Sequence, residues 1–227
     1  MQANRKNIAQ SGYGNLGNTY KPLPLLVIDF IETNISTFIK YYIDGEKEKG
    51  LNSNFALCMN NQINNELFIF QHEDLENTSS GNSPSIDIGV YTRVKGRRGK
   101  RFFALEAKRL STKLDPRRKK EYVLGDAGGI ERFKRNIHAC ELNTAAMIGY
   151  VQTDCFDSWE NKINQWIDEK INSSNSCDLT WINDDKLIKR NNTLEIAKYS
   201  SNHICLSNKQ LELIHLWINL VDINNSY

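Results

Sequence analysis

The 227-residue chain carries 29 Lys and Arg against 27 Asp and Glu, a formal net charge of +2, with 40% hydrophobic and 25% charged residues, the balance of an ordinary soluble domain. No run of about 18 apolar residues occurs, and the opening MQANRKNIAQ has no apolar h-region, so the expectations are no membrane span, no signal peptide and a cytoplasmic location. The five cysteines (58, 140, 155, 177, 205) form no C-x-x-C pair and the four histidines show no ligand spacing. A disulfide framework and a zinc cage are therefore excluded, and any metal is expected to be held by oxygen.

Residues 1–20 are polar and rich in Asn and Gly, which predicts a flexible tail ahead of one domain over 21–227. After KPLPL, Asp29 and Glu32 have capping-box spacing, and Ile28, Ile31, Ile35, Phe38 and Tyr42 recur at helical intervals, which predicts a helix to about Ile43. The charged run DGEKEKG breaks it, and a second helix is expected from Asn54 to Ile63. ELFIFQHEDL, SIDIGVYTRV and RFFALEAKRL then read as three strands, the last two a hairpin across KGRRGK. GDAGGIERFKRNIHA suggests a turn entering a helix, AAMIGYVQT a buried strand, and Trp159 to Lys170 an amphipathic helix. NTLEIAKYS suggests a late strand, and KQLELIHLWINLVDI, with apolar positions 211, 214, 217, 218 and 221, a closing helix. The order implies an α/β fold, one mixed central sheet with helices packed on it.

Charge is unevenly spread. Thirteen Lys and Arg against two acids give the segment from Thr92 to Lys120 a net +11, which leaves −9 for the rest of the chain. Clustered cations of this kind are the electrostatic footprint of a phosphate-backbone binder. Arg97, Arg98, Lys100 and Arg101 at the hairpin tip, and Arg117, Arg118, Lys119 and Lys120 beyond the third strand, are the expected nucleic-acid contacts.

Within this segment FFALEAKRL sets Glu106 and Lys108 on one face of an otherwise apolar strand. Burying unpaired charge costs several kcal/mol. In SIDIGVY, Ile86, Ile88 and Val90 are expected on the core face with Asp87 opposite, so that pairing of the two strands stands Asp87 beside Glu106. A hard divalent cation removes the repulsion between two such carboxylates, leaving its other positions to water and substrate phosphate.

Asp87 followed by Glu106-Ala107-Lys108 resembles the D…(D/E)-x-K signature of the PD-(D/E)XK nuclease superfamily, and the blocks from about 54 to 220 are similar to those of bacterial restriction-like members. Ile86 stands where the superfamily often has proline. The resemblance implies a restriction-endonuclease-like fold with an αβββαβ core and a Mg²⁺-dependent nuclease, with Mn²⁺ expected to substitute. Asp87, Glu106 and the Ala107 carbonyl would hold the metal, and Lys108, an amine with its pKa lowered by burial, would orient or deprotonate the attacking water. Glu73 is an additional metal or catalytic candidate, with Glu32 behind it. DNA is the expected substrate, with RNA as the alternative. The resemblance further implies a role in defence against foreign DNA, beside an ATPase or sensor subunit, and a homodimer wherever both strands are cut. A catalytically silent nucleic-acid-binding or scaffold subunit is the competing assignment.

Overall fold

The computed structural model describes residues 21–64, 67–80, 82–95, 99–125, 128–173 and 179–221. The expected tail, Arg97, Arg98 and, in the expected turn GDAGG, Asp126 and Ala127 lie outside them.

Helix α1 (Leu23–Lys40) begins with prolines at its first turn, where a missing N–H costs nothing. The capping box expected at Asp29 and Glu32 is not formed: Asp29 lies within the helix and pairs with Lys21, while Glu32 pairs with Lys198 on a distant strand. Helix α2 (Glu48–Gln62) starts inside the charged run, six residues earlier than the sequence suggested. Strands β1 (Phe68–Leu75), β2 (Ser85–Thr92) and β3 (Arg101–Leu110) form an antiparallel meander. Helix α3 (Gly129–Lys134), β4 (Thr144–Val151) and α4 (Phe156–Ile171) follow, and β5 (Ile188–Asn192), β6 (Ile196–Ile204) and β7 (Gln210–Asn219) complete one seven-stranded mixed sheet of order β1-β2-β3-β4-β7-β6-β5. β4 runs parallel to both β3 and β7.

The segment expected as a closing helix is thus the interior strand β7, between β4 and β6. Ile214, Leu216 and Ile218 enter one apolar cluster, and Leu211, Leu213 and Trp217 the other. An apolar run that buries alternate residues on both faces belongs to a strand covered on both sides, and the helical spacing was the shadow of that two-sided pattern. The first cluster sits between the sheet and α1–α2, built from residues such as Ile31, Phe55, Leu105 and Ile148. The second lies under α3 and α4, where Phe133, Trp159 and Ile163 meet Ala145, Met147 and Trp217. Asn60 fixes α2 on β1, its side chain bonding both the N–H and the C=O of Phe70 at 3.0 and 2.8 Å.

A buried polar chain crosses the second face. Trp217 Nε1 donates to the Tyr122 hydroxyl at 2.8 Å, which meets His215 Nδ1 at 2.8 Å; Ser201 Oγ bridges His215 and His203 at 2.7 and 2.6 Å; and His203 Nδ1 and Lys134 Nζ both reach Asp185 Oδ1 at 2.5 Å. The indole at one end only donates and the carboxylate at the other only accepts, so every bond runs one way when both histidines are neutral. Burial lowers His203 and pushes His215 far down from the ordinary 6.5. Groups whose folded pKa is depressed contribute stability above their unfolded value and lose it as pH falls.

Asp87, described below, works in the opposite sense, so the test belongs in an Asp87→Asn background. There, stability read by urea unfolding is expected to fall as pH drops below 6.5, by up to about 1.4 kcal/mol per pH unit for each histidine. A flat profile down to the carboxylate range contradicts the neutral chain.

No helix among the described residues is long and apolar enough to cross a membrane.

Candidate active site

The site lies where β2 parts from β3. Pairing between them runs from Tyr91–Arg101 to Ile88–Leu105 and no further, which leaves the β3 edge open from Glu106 onward. Two carboxylates take the freed amides. Asp87 Oδ2 accepts from the Ala107 N–H at 2.8 Å, and Glu48 Oε2 from the Arg109 N–H at 3.3 Å. Alternate residues of a strand direct N–H and C=O to the same neighbour, so the Ala107 carbonyl opens on the side occupied by Asp87. Ile86 does not share a face with Ile88 and Val90 as expected. It enters the second cluster while they enter the first; the ladder to β1 skips Asp87, opposite Glu73 with its φ of 50°, and resumes at Ile86.

Glu106 and Lys108 lie between Ala104 and Leu110 on the face of the second cluster, their side chains 3% and 6% exposed. Lys108 Nζ donates to Glu106 Oε1 at 2.9 Å and lies 3.4 Å from Glu48 Oε1. Burial, and next the charge of Glu106, raise the Asp87 carboxyl to about 7, against the pull of Lys108 and the Ala107 amide. Lys108 departs from expectation: burial alone would lower it, but Glu106, Glu48 and Asp87 together outweigh burial and raise it above the ordinary lysine value. It is an ammonium here, not a free base.

Glu48 was not foreseen. It sits in the first turn of α2, and nothing in DGEKEKG distinguishes it from a solvated charge until the helix start is known. His138, also unforeseen, is wholly buried, with Nε2 3.5 Å from Glu106 Oε2 and Nδ1 3.4 Å from Glu76 Oε1. Neither ring nitrogen nor Glu106 Oε2 has a proper hydrogen-bond partner. Glu76 is held in turn by the Ala139 N–H and by Arg101.

Arg101 corrects the sequence expectation. Only 9% exposed, it binds Asp74, Glu76 and Glu141 and so braces the β1–β3 framework behind Glu106 instead of facing a phosphate. Glu73 also differs: it is exposed, at a φ of 50°, and pairs with Lys49 at 2.7 Å, tying β1 to the first turn of α2. Of the remaining basic residues, Lys100, Arg117, Lys119 and Lys120 are exposed, Arg117 bridging Asp115 and Lys120 bridging Glu169. Arg118 is half-buried against Glu121 and Glu48. Lys134 is fully buried on Asp185 and offers nothing to a ligand.

Among the described residues no group of three or more His, Cys, Asp and Glu side chains is arranged to hold a metal ion. The oxygen donors that fit a hard cation are fewer: the Asp87 carboxylate, the unpartnered, buried Oε2 of Glu106 and the Ala107 carbonyl. No family model matches the sequence, and no curated protein or solved structure is similar to it. What the site can do follows from its residues alone.

Proposed function

We propose that the chain is a Mg²⁺-dependent phosphodiesterase, a nuclease acting on DNA with a restriction-endonuclease-like arrangement of α2, β1–β3, α3 and β4. One observation carries it: two acids from neighbouring strands and a lysine gather at an open strand edge inside an apolar sheet, where structure alone gives no reason for three charges. Asp87, Glu106 and the Ala107 carbonyl would hold Mg²⁺. When bound, the metal would supply Lewis-acid polarisation of the phosphate and neutralise developing charge.

The chain's own residues set the rest. Ala107 N–H fixes the Asp87 rotamer, His138 backs Glu106 from behind, and Glu48 and Glu106 together aim the Lys108 ammonium. That ammonium keeps its proton and serves as a hydrogen-bond donor at Nζ, orienting the attacking water or a non-bridging phosphate oxygen. Exposed Lys100, Arg117, Lys119 and Lys120 would give affinity without reading sequence.

A role in defence against foreign DNA, beside an ATPase or sensor subunit and as a homodimer for double-strand cleavage, is supported by the family resemblance alone. A second assignment, a catalytically silent nucleic-acid-binding subunit, is favoured by the ion pairs that already satisfy Lys108. Cleavage of plasmid and linear DNA with and without Mg²⁺ separates the two: metal-dependent cleavage supports the nuclease, and none with either substrate supports the silent subunit.

A further inference from the structure

Beyond the C-terminal ends of the parallel strands β3 and β4, a cavity of about 170 Å³ is lined by Arg109, Ser111, Lys113, Gln152, Thr153 and Asp44. Crevices outside the carboxyl ends of parallel strands are where open α/β sheets bind ligands. Arg109 follows Lys108 directly on β3, and Glu48 touches both, one carboxylate oxygen near the Lys108 amine and the other at the Arg109 amide. Glu48 therefore contacts both the site's lysine and the backbone of a residue that lines the cavity.

Its charge is not that of a structural ion pair. The Arg109 Nε is shut off from solvent with no acceptor, and among the described residues neither Arg109 nor Lys113 has a side-chain ion pair. A buried guanidinium nitrogen left unmatched is costly. The hydroxyls of Ser111 and Thr153 add donors beside the two cations, and Ser111 Oγ already receives the Lys113 N–H at 3.3 Å. Asp44, which takes the Tyr42 hydroxyl at 3.3 Å, is the single acid among the described residues that line this space. At about 30 Å³ per water, the volume suits one tetrahedral oxyanion with its residual hydration.

The geometry points to an anion subsite for a single phosphate group, with Arg109 as the planar, fork-shaped donor and Lys113 as the mobile charge. Its use, holding a substrate phosphate that flanks the one at Asp87 and Glu106, rests on the nuclease assignment; its capacity to bind phosphate does not. Asp44 sets an upper limit on affinity, so that the group is held and then released.

The test is calorimetric titration with inorganic phosphate, at low ionic strength and without divalent metal. The wild type is expected to bind in roughly the millimolar range. Arg109→Gln and Lys113→Gln are each expected to weaken binding about tenfold, the loss of one charged hydrogen-bonding partner. Asp44→Asn is expected to tighten it severalfold. Lys170→Gln, the same change of charge on the exposed face of α4, is expected to leave it within about twofold. Absence of saturable binding in the wild type overturns the subsite, as does unchanged affinity in the Arg109→Gln/Lys113→Gln double variant or an equal loss in Lys170→Gln. Phosphate binding at Arg109 in a protein that cleaves nothing leaves the subsite standing and removes the nuclease assignment. Cleavage without phosphate binding does the reverse.

Discussion

Asp87→Asn is expected to abolish Mg²⁺-dependent DNA cleavage while leaving the metal-free protein at least as stable as the wild type. The amide oxygen of Asn can still accept the Ala107 N–H, so the strand edge keeps its hydrogen bond. It no longer buries a second charge beside Glu106; burial first, and that repulsion next, hold the Asp87 carboxyl near 7. Stability therefore stays level or rises. Loss of a metal-holding carboxylate removes several kcal/mol of transition-state stabilisation, which at about 1.4 kcal/mol per tenfold is roughly three orders of magnitude in rate. Glu106→Gln is expected to match it in rate. The opposite movement of stability and activity is the signature of a residue kept for chemistry at the expense of the fold. Thermal unfolding and a cleavage time course on the same preparation check both halves; cleavage within tenfold of wild type in either variant refutes the site.

The second large effect lies on the other face of the sheet. Asp185→Ala is expected to destabilise the domain by about 3–5 kcal/mol, the usual consequence of stranding a buried charge. Lys134 and His203 both converge on Asp185, and all three side chains are shut off from water. Removing the carboxylate leaves an ammonium and an imidazole N–H without an acceptor, together a large share of the 5–15 kcal/mol that holds a domain of this size. Replacing the ion pair by matched apolar residues, Asp185→Leu with Lys134→Met, is expected to recover most of the loss. Urea unfolding of the two variants reads the difference directly. A single variant within about 1 kcal/mol of wild type contradicts the buried network.

The legible part of the site was the part written along strands. Period-two alternation placed β1, β2 and β3, and a Glu and a Lys at positions that alternation buries drew attention to Glu106 and Lys108 before any contact was known. Two kinds of feature stayed hidden. Glu48 and His138 reach the site only through tertiary packing: one from a helix whose start is masked by neighbouring charges, the other from the loop after α3.

Other misses came from patterns with two readings. In β7 the residues that alternate on two buried faces also fit a helical wheel, and only pairing with β4 and β6 decides. β5 is exposed along its whole length and carries no apolar rhythm. Arg101 belongs by sequence to a basic surface run, yet it is internal because Asp74, Glu76 and Glu141, scattered over nearly seventy residues, meet around it. Of the thiols, Cys205 is buried while Cys140 and Cys155 are exposed.

The most direct measurement is titration of the protein with Mn²⁺ in the absence of nucleic acid, followed by calorimetry for the wild type, Asp87→Asn and Glu106→Gln. Saturable binding of Mn²⁺ by the wild type, lost or weakened at least tenfold in both variants, is the predicted result. Binding that is absent from the wild type, or that persists undiminished when either carboxylate is neutralised, contradicts a shared cation between the two strands.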